Sequence, residues 1–266
     1  MGVSRNSAWF VRAMMFLVVC GTCESQELTV KWNDPAMGVL ASTYDSLYTI
    51  DWRGGLDSTL SLQQANVGDI SVVNAPSMSE HKALRVSISK SEDFSHVANG
   101  LPRAELVFPA SVRFTQGRDY LVGWSTYIPQ EYRFDSSEII AQIHQGPASG
   151  SPPIMLTITG GDYTFSERGS SESGQGTTFR ICCAAMDQGK WVHWALRYVP
   201  DAEGTHASTQ LWKDGTSVYA SRGTPNAYPH DNASFLKMGL YIPGGWKQAD
   251  PGPIVLFYGP VSVGRR

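Results

Sequence analysis

Charge is scarce in this chain and nearly balanced. Among 266 residues there are 21 Lys or Arg and 24 Asp or Glu, a formal net charge of −3. Nucleic-acid-binding domains usually carry a basic excess, so no nucleic-acid partner is expected, although a few local cations can still hold an anionic ligand. Long apolar runs are missing too. The segment Ala13 to Cys20 is far below the roughly 18 residues that a membrane span needs, nothing later approaches that length, and no membrane partner is expected. Beyond it there is no sustained 3.6-residue periodicity and no internal repeat, which argues against helical bundles and solenoids.

Cysteine is equally sparse. Cys20 and Cys23 fall near the N-terminus, while Cys182 and Cys183 are adjacent. Neighbours on a strand point to opposite faces, so an ordinary disulfide between them is not expected. Buried thiols and a strained vicinal bridge both stay open. No Cys or His has zinc-ligand spacing, and no cluster of acids resembles a calcium loop. A metal site is not expected on these grounds.

What is present first is a leader. Arg5 and Arg12 precede the apolar run from Ala13 to Cys20, and Cys23-Glu24-Ser25 reads as a cleavage site. Residues 1–25 are therefore expected to be a secretory signal and the protein extracellular. Removing Arg5, Arg12 and Glu24 with it leaves a net charge of −4. The sequon Asn232-Ala233-Ser234 suits that compartment. The remainder, 26–266, shows no linker and is expected to form one domain.

Its pattern is that of strands. Ile70-Ser71-Val72-Val73 and Ala83 to Ile88 alternate in period two, as do Leu101 to Phe108, Asp119 to Ile128, Ser137 to His144 and Ile154 to Thr159. Trp191 to Val199 follows, and Lys213-Asp214-Gly215 marks a hairpin. Polar loops are expected over Ser89–Gly100, Gly146–Pro153 and Glu167–Thr178, the last of them mobile. Many short strands without helices argue for an all-β, two-sheet sandwich.

Three strands share a property. In Phe235 to Tyr241, Leu236, Met238 and Leu240 form an apolar face, and Lys237 and Tyr241 stand on the other, at most roughly 13 Å apart. Arg103 and Glu105 oppose Ala104 and Leu106. Gln142 and His144 oppose Ile139, Ala141 and Ile143. Groups of this kind are costly to bury without partners, so they face water or form a shared site. Gly239, between Lys237 and Tyr241, would leave room for a ligand to approach the sheet.

The stretches Arg103-Ala104-Glu105-Leu106, Gln142-Ile143-His144 and Phe235 to Tyr241 resemble the signature strands of jelly-roll polysaccharide lyases. Alginate lyases of that fold carry R-x-E-L, Q-[IV]-H and Y-F-K-x-G-x-Y in this order. Gly123-Trp124 to Pro129, Gly189 to Trp194 and Leu211 to Gly215 are closer to the heparin lyase I-like and glucuronan lyase group. The resemblance spans about residues 70 to 264. It implies a β-jelly roll, a concanavalin-like antiparallel sandwich with a concave substrate cleft. It also implies an enzyme that cleaves a uronic-acid-containing anionic polysaccharide (glucuronan, alginate or a heparin-like polymer) by β-elimination. The products carry an unsaturated non-reducing end. No cofactor is required, calcium stays open because some heparin lyase relatives use it, and a monomer is expected.

In that chemistry a carboxylate next to C5 must be neutralised, C5 must lose a proton, and O4 must gain one. Arg103 and Gln142 can supply donors to the carboxylate. His144 titrates near neutrality and can accept the proton or help neutralise. Tyr241 is the expected acid, and a second candidate for the base if a neighbouring cation favours its phenolate. Glu105 is expected to orient Arg103 or Lys237, and Lys237 to tune Tyr241 or bind a carboxylate. His96 and Asn99, in the loop before Arg103, with Arg180 and Trp246, are further substrate-binding candidates, and Tyr163 has a similar standing. His193 reads as structural. Two alternatives stay open: a non-catalytic carbohydrate-binding, lectin-like module, and a glycoside hydrolase, which needs two carboxylates at catalytic spacing.

Overall fold

The computed structural model describes residues 41–146, 150–170, 176–247 and 252–266. The expected leader at 1–25, with Cys20 and Cys23, lies outside them, as does part of the loops expected at Gly146–Pro153 and Glu167–Thr178. In chain order the strands begin with β1 (Asp45–Ile50), β2 (Ser61–Gln63), β3 (Ile70–Ala75), β4 (Met78–Ile88), β5 (Arg103–Val107) and β6 (Arg113–Phe114). Then come β7 (Tyr120–Tyr127), β8 (Ser137–His144), β9 (Ile154–Thr159), β10 (Asp162–Arg168), β11 (Gly176–Ile181) and β12 (Trp191–Val199). The series closes with β13 (Ser208–Lys213), β14 (Thr216–Arg222), β15 (Ser234–Tyr241), β16 (Ile254–Tyr258) and β17 (Val261–Arg265). One 3₁₀ turn, Ala184–Asp187, lies between β11 and β12.

These strands form two antiparallel sheets. The first runs β14-β13-β12-β7-β16-β4-β3, with β17 on β7 and β1 on β17; the second runs β11-β10-β9-β8-β15-β5-β2, with β6 on β15. The chain crosses between them, so several neighbouring strands, among them β5, β15 and β8, are far apart in sequence. The result is a jelly-roll sandwich. Period-two alternation explains the packing: Leu84, Val86 and Ile88 of β4 and Leu236, Met238 and Leu240 of β15 enter one core cluster. Each such side chain contributes about 1.5–3 kcal/mol when fully buried.

Turn chemistry follows the residues. Asp214 and Gly215 both have positive φ (48° and 78°), and Lys213 pairs with Thr216 across them. That is the two-residue hairpin that Asp-Gly favours. Gly160-Gly161 does the same between β9 and β10, a hairpin that the sequence pattern did not disclose. The two ends of the expected Glu167–Thr178 loop are strand: β10 runs to Arg168 and β11 starts at Gly176. Cys182 and Cys183 are joined by a disulfide just after β11, off the strand, where the opposite-face argument no longer applies.

Two departures from ideal pleating shape the second sheet. The register between β8 and β9 shifts between Ile139 and Ala141, and that between β15 and β8 shifts between Met238 and Tyr241. Through the first shift Ile140 rather than Ile139 joins the core cluster, which alters the expected Ile139, Ala141, Ile143 face. Ladder groups freed there are satisfied from the opposite sheet. The buried Tyr258 hydroxyl of β16 bonds to the carbonyl oxygens of Ile140 and Gly239, at 2.6 and 2.8 Å.

Gly239 itself has φ +147°, and a Cβ there would lie 2.1 Å from the Ala104 oxygen and 2.7 Å from the Glu105 Cα. The glycine is needed because β5 passes so close, not to admit a sugar. Gly239→Ala is accordingly expected to lose about 2–4 kcal/mol of stability, from backbone strain plus overpacking. Urea denaturation checks this; an unchanged midpoint accompanied by weaker substrate binding would restore the ligand-clearance reading.

Candidate active site

The three polar strand faces lie side by side on the second sheet, with β15 in the middle. Register sets Tyr241 against Arg103, Gly239 against Glu105, Lys237 against Gln142 and Phe235 against His144. Four of these side chains are almost fully buried: Arg103, Glu105, Gln142 and Lys237 are all between 1% and 5% exposed. Such burial of charge demands pairing.

Glu105 provides it. Its Oε2 accepts from Arg103 Nη1 at 3.2 Å and from Lys237 Nζ, and its Oε1 accepts from Gln142 Nε2 at 2.5 Å. Because a carboxylate only accepts, this bond fixes which way the Gln142 amide faces. Burial lowers the Lys237 pKa more than the Glu105 carboxylate raises it.

Arg103 extends the network outward. Its Nη1 also donates to Gln63 Oε1 at 3.4 Å, its Nη2 donates to Asn99 Oδ1, and its guanidinium lies 3.8 Å from the centre of the Tyr241 ring. Asn99 in turn donates from Nδ2 to the Tyr241 hydroxyl at 3.2 Å. The phenol oxygen therefore accepts, and among the described residues its own proton has no acceptor. Arg103 thus acts first as a cradle for Tyr241, with much of its hydrogen-bonding capacity already used.

His144 is half-buried, and its ring stacks on Phe235 at 5.1 Å. Its Nδ1 lies 2.8 Å from the Gln145 carbonyl oxygen. A carbonyl cannot donate, so Nδ1 carries the proton and Nε2 has the free lone pair in the neutral ring. Burial is the main cause that lowers the His144 pKa, and the charges of Lys237 and Arg103 act in the same direction. The imidazole is thereby held neutral at pH 7.

Other expected residues are placed differently. Asn99 belongs to the cluster, but His96 in the same loop is exposed and its charge acts on Asp93. Arg180 of β11 is separated from β8 by β9 and β10, and its Nε donates to Asp162 Oδ2 at 2.5 Å. Trp246 packs against the core cluster, as a rim aromatic does. Tyr163 is fully buried and donates to Asp187 at 3.0 Å. His193 is on the first sheet, its Nδ1 2.8 Å from Ser125 Oγ. Gln63 was not anticipated; it sits on a three-residue strand too short to show periodicity.

Among the described residues, Asp162 with Cys182 and Cys183 is a grouping compact enough to suggest a metal. Disulfide sulfurs and a carboxylate held by Arg180 do not make the oxygen-rich shell that calcium takes. A cavity of about 700 Å³ lies elsewhere, against β1 and β17, and none of the clustered residues lines it.

Comparison with known proteins gives consistent results. A family model described as polysaccharide lyase matches residues 51–261. No curated protein sequence matches. Among solved structures, the endo-β-1,4-glucuronan lyase of the fungus Trichoderma reesei is 18% identical with a TM-score of 0.68, covering 83% of this chain and 95% of that one. Alginate lyase vAL-1 from Chlorella virus is 11% identical with a TM-score of 0.59, covering 84% and 100%. The family 7 alginate lyase A1-II′, in a complex with substrate, is 13% identical with a TM-score of 0.55, covering 77% and 91%. At these identities the likeness is one of fold.

The buried network makes a stability prediction. Glu105→Gln removes the charge that holds Arg103 and Lys237, and is expected to destabilise the protein by about 3–5 kcal/mol. Denaturant unfolding measures it, and a loss near zero would mean that the two cations find other partners.

Proposed function

The chain belongs to the polysaccharide lyase family, and we propose that its substrate is a uronic-acid-containing, anionic polysaccharide that it cleaves by β-elimination. One observation carries this reading: an unpartnered tyrosine proton and a neutral histidine lone pair are held on the same sheet face, around buried cations. In the scheme, His144 Nε2 takes the proton from C5, the C5–H electron pair forms the C4=C5 double bond, and the C4–O4 bond breaks. Tyr241 then gives its proton to the departing O4. Removal of the C5 proton becomes feasible once the adjacent carboxylate is neutralised, and the remaining N–H groups of Gln142, Asn99 and Arg103 serve that need.

A hydrolase is disfavoured by the same geometry. It needs two carboxylates flanking the bond, whereas Glu105 is buried and committed to Arg103, Lys237 and Gln142. The low net charge favours a polymer bearing carboxylates only over a heavily sulfated one. The fold likeness to a glucuronan lyase supports glucuronan as the first polymer to try, with alginate second. Secretion through a leader at residues 1–25 is part of this proposal.

Incubation with glucuronan, alginate, heparin and heparan sulfate tests it. New unsaturated, ultraviolet-absorbing ends are expected; reducing ends without unsaturation mean a hydrolase, and retention without cleavage means a binding module. Tyr241→Phe and His144→Ala should each lower kcat by about 10²–10⁴-fold, the range for a lost general acid or base. Loss in Tyr241→Phe alone would move the base role to Tyr241 as well.

The pH dependence has a defined sign. A lowered His144 pKa means that protonation, which removes the base, occurs below the ordinary value of about 6.5. The acid limb of kcat/KM is therefore expected below pH 6.5. A limb above 6.5 would show that His144 does not act as the neutral base.

A further inference from the structure

Two arginines on the site face form no ion pair among the described residues. Arg113 lies on β6 and Arg168 ends β10, and both are half-buried. Each has a buried Nη1 without a hydrogen-bond partner, and among the described residues neither guanidinium forms an ion pair. Arg197, comparably placed on the first sheet, is paired with Asp119 at 2.8 Å. A partly desolvated cation left alone is costly, which points to an anion not present in the fold itself.

Their positions are related. Arg113 pairs in register with Phe235, which on its other side pairs with His144. The guanidinium of Arg113 lies 5.0 Å from the Phe235 ring centre, and the His144 ring lies 5.1 Å from the same centre. In the other direction, Ile143 pairs with Ile154 and Ile154 with Glu167. The next row is therefore His144, Pro153, Arg168, and the Arg168 N–H donates to the Pro153 oxygen at 2.7 Å. Glu167 turns inward to Thr209 and Tyr219 of the first sheet, so Arg168 points to the site face. Arg113, Phe235, His144 and Arg168 thus lie in one row across the strands. At the usual strand spacing its ends are roughly 19 Å apart.

We propose that Arg113 and Arg168 are carboxylate-binding subsites on either side of His144. This rests on the reading of the substrate as a polyuronide. Such a chain carries a carboxylate on each uronic-acid unit, and cations on both sides of the base suit a chain that runs through the site. Cleavage is therefore internal rather than confined to chain ends.

The test uses Tyr241→Phe protein, so that binding is measured without turnover, with glucuronan and alginate oligomers as probes in calorimetry. Adding Arg113→Gln or Arg168→Gln should each weaken binding about tenfold, equivalent to about 1.4 kcal/mol, with melting temperatures unchanged. Arg→Lys at either position should recover part of the loss, because charge returns without the bidentate fork. In the active enzyme, the Gln variants should raise KM by more than they lower kcat, and wild-type products should include mid-length oligomers from the first minutes. Failure of Tyr241→Phe to bind any of the probes would overturn the proposed function and this inference with it. Binding that is tight but indifferent to both Gln variants, as expected if water alone satisfies these arginines, would overturn the inference and leave the function standing. Products released only as the smallest unit would overturn internal cleavage.

Discussion

The site depends on one buried carboxylate. Glu105 is 1% exposed and accepts hydrogen bonds from Arg103, Lys237 and Gln142, one on each of three neighbouring strands. Taking two cations out of water is tolerable only because this acid meets both, and the acid is tolerable only because they meet it. The geometry of everything further out follows. Arg103, held from below by Glu105, holds the Asn99 side chain and covers the Tyr241 ring, and Asn99 then fixes the phenol oxygen.

The two proton-transfer candidates owe their difference to surroundings rather than to distance alone. His144 is held by a backbone carbonyl at Nδ1 and loses proton affinity through burial and nearby cations, which prepares Nε2 to accept. Tyr241 accepts from Asn99 and keeps its proton unassigned, which prepares it to donate. His144 on β8 stands across from Phe235 of β15, and Tyr241 of β15 stands across from Arg103 of β5. Lys237, between them, is committed to Glu105 and serves as support for the face more than as a free subsite charge.

Most strands were legible because period-two alternation is a local signal: β8, β9 and β12 fall where the pattern put them. Adjacency is another matter. β5, β15 and β8 are far apart in the chain, and only long-range pairing makes them neighbours. Period two also fails at bulges, which is why Ile140 and not Ile139 reaches the core. It assigns a face but not a distance, so nothing local shows that Arg180 lies three strand spacings from the site. Asn99 and His96 could not be separated by sequence, since a loop has no period. Gln63 and Arg113 sit on strands of three and two residues, below the length at which alternation means anything.

The bulges show how the sandwich supplies precision to its outer face. An extra residue in β15 leaves ladder carbonyls without partners at Gly239, and the shift in β8 does so at Ile140. Both would be costly orphans in the interior. Tyr258, reaching across from β16 of the other sheet, shares its one hydroxyl proton between the two. The offset between β8 and β15, which sets His144 and Tyr241 relative to each other, is therefore anchored from behind by a core residue that touches neither. At the same step β5 closes on Gly239 so tightly that no side chain fits between them. Register, close strand approach and buried charge thus constrain one another. The active face needs a full two-sheet fold behind it because its polar residues alone do not fix where the strands that carry them must stop and start.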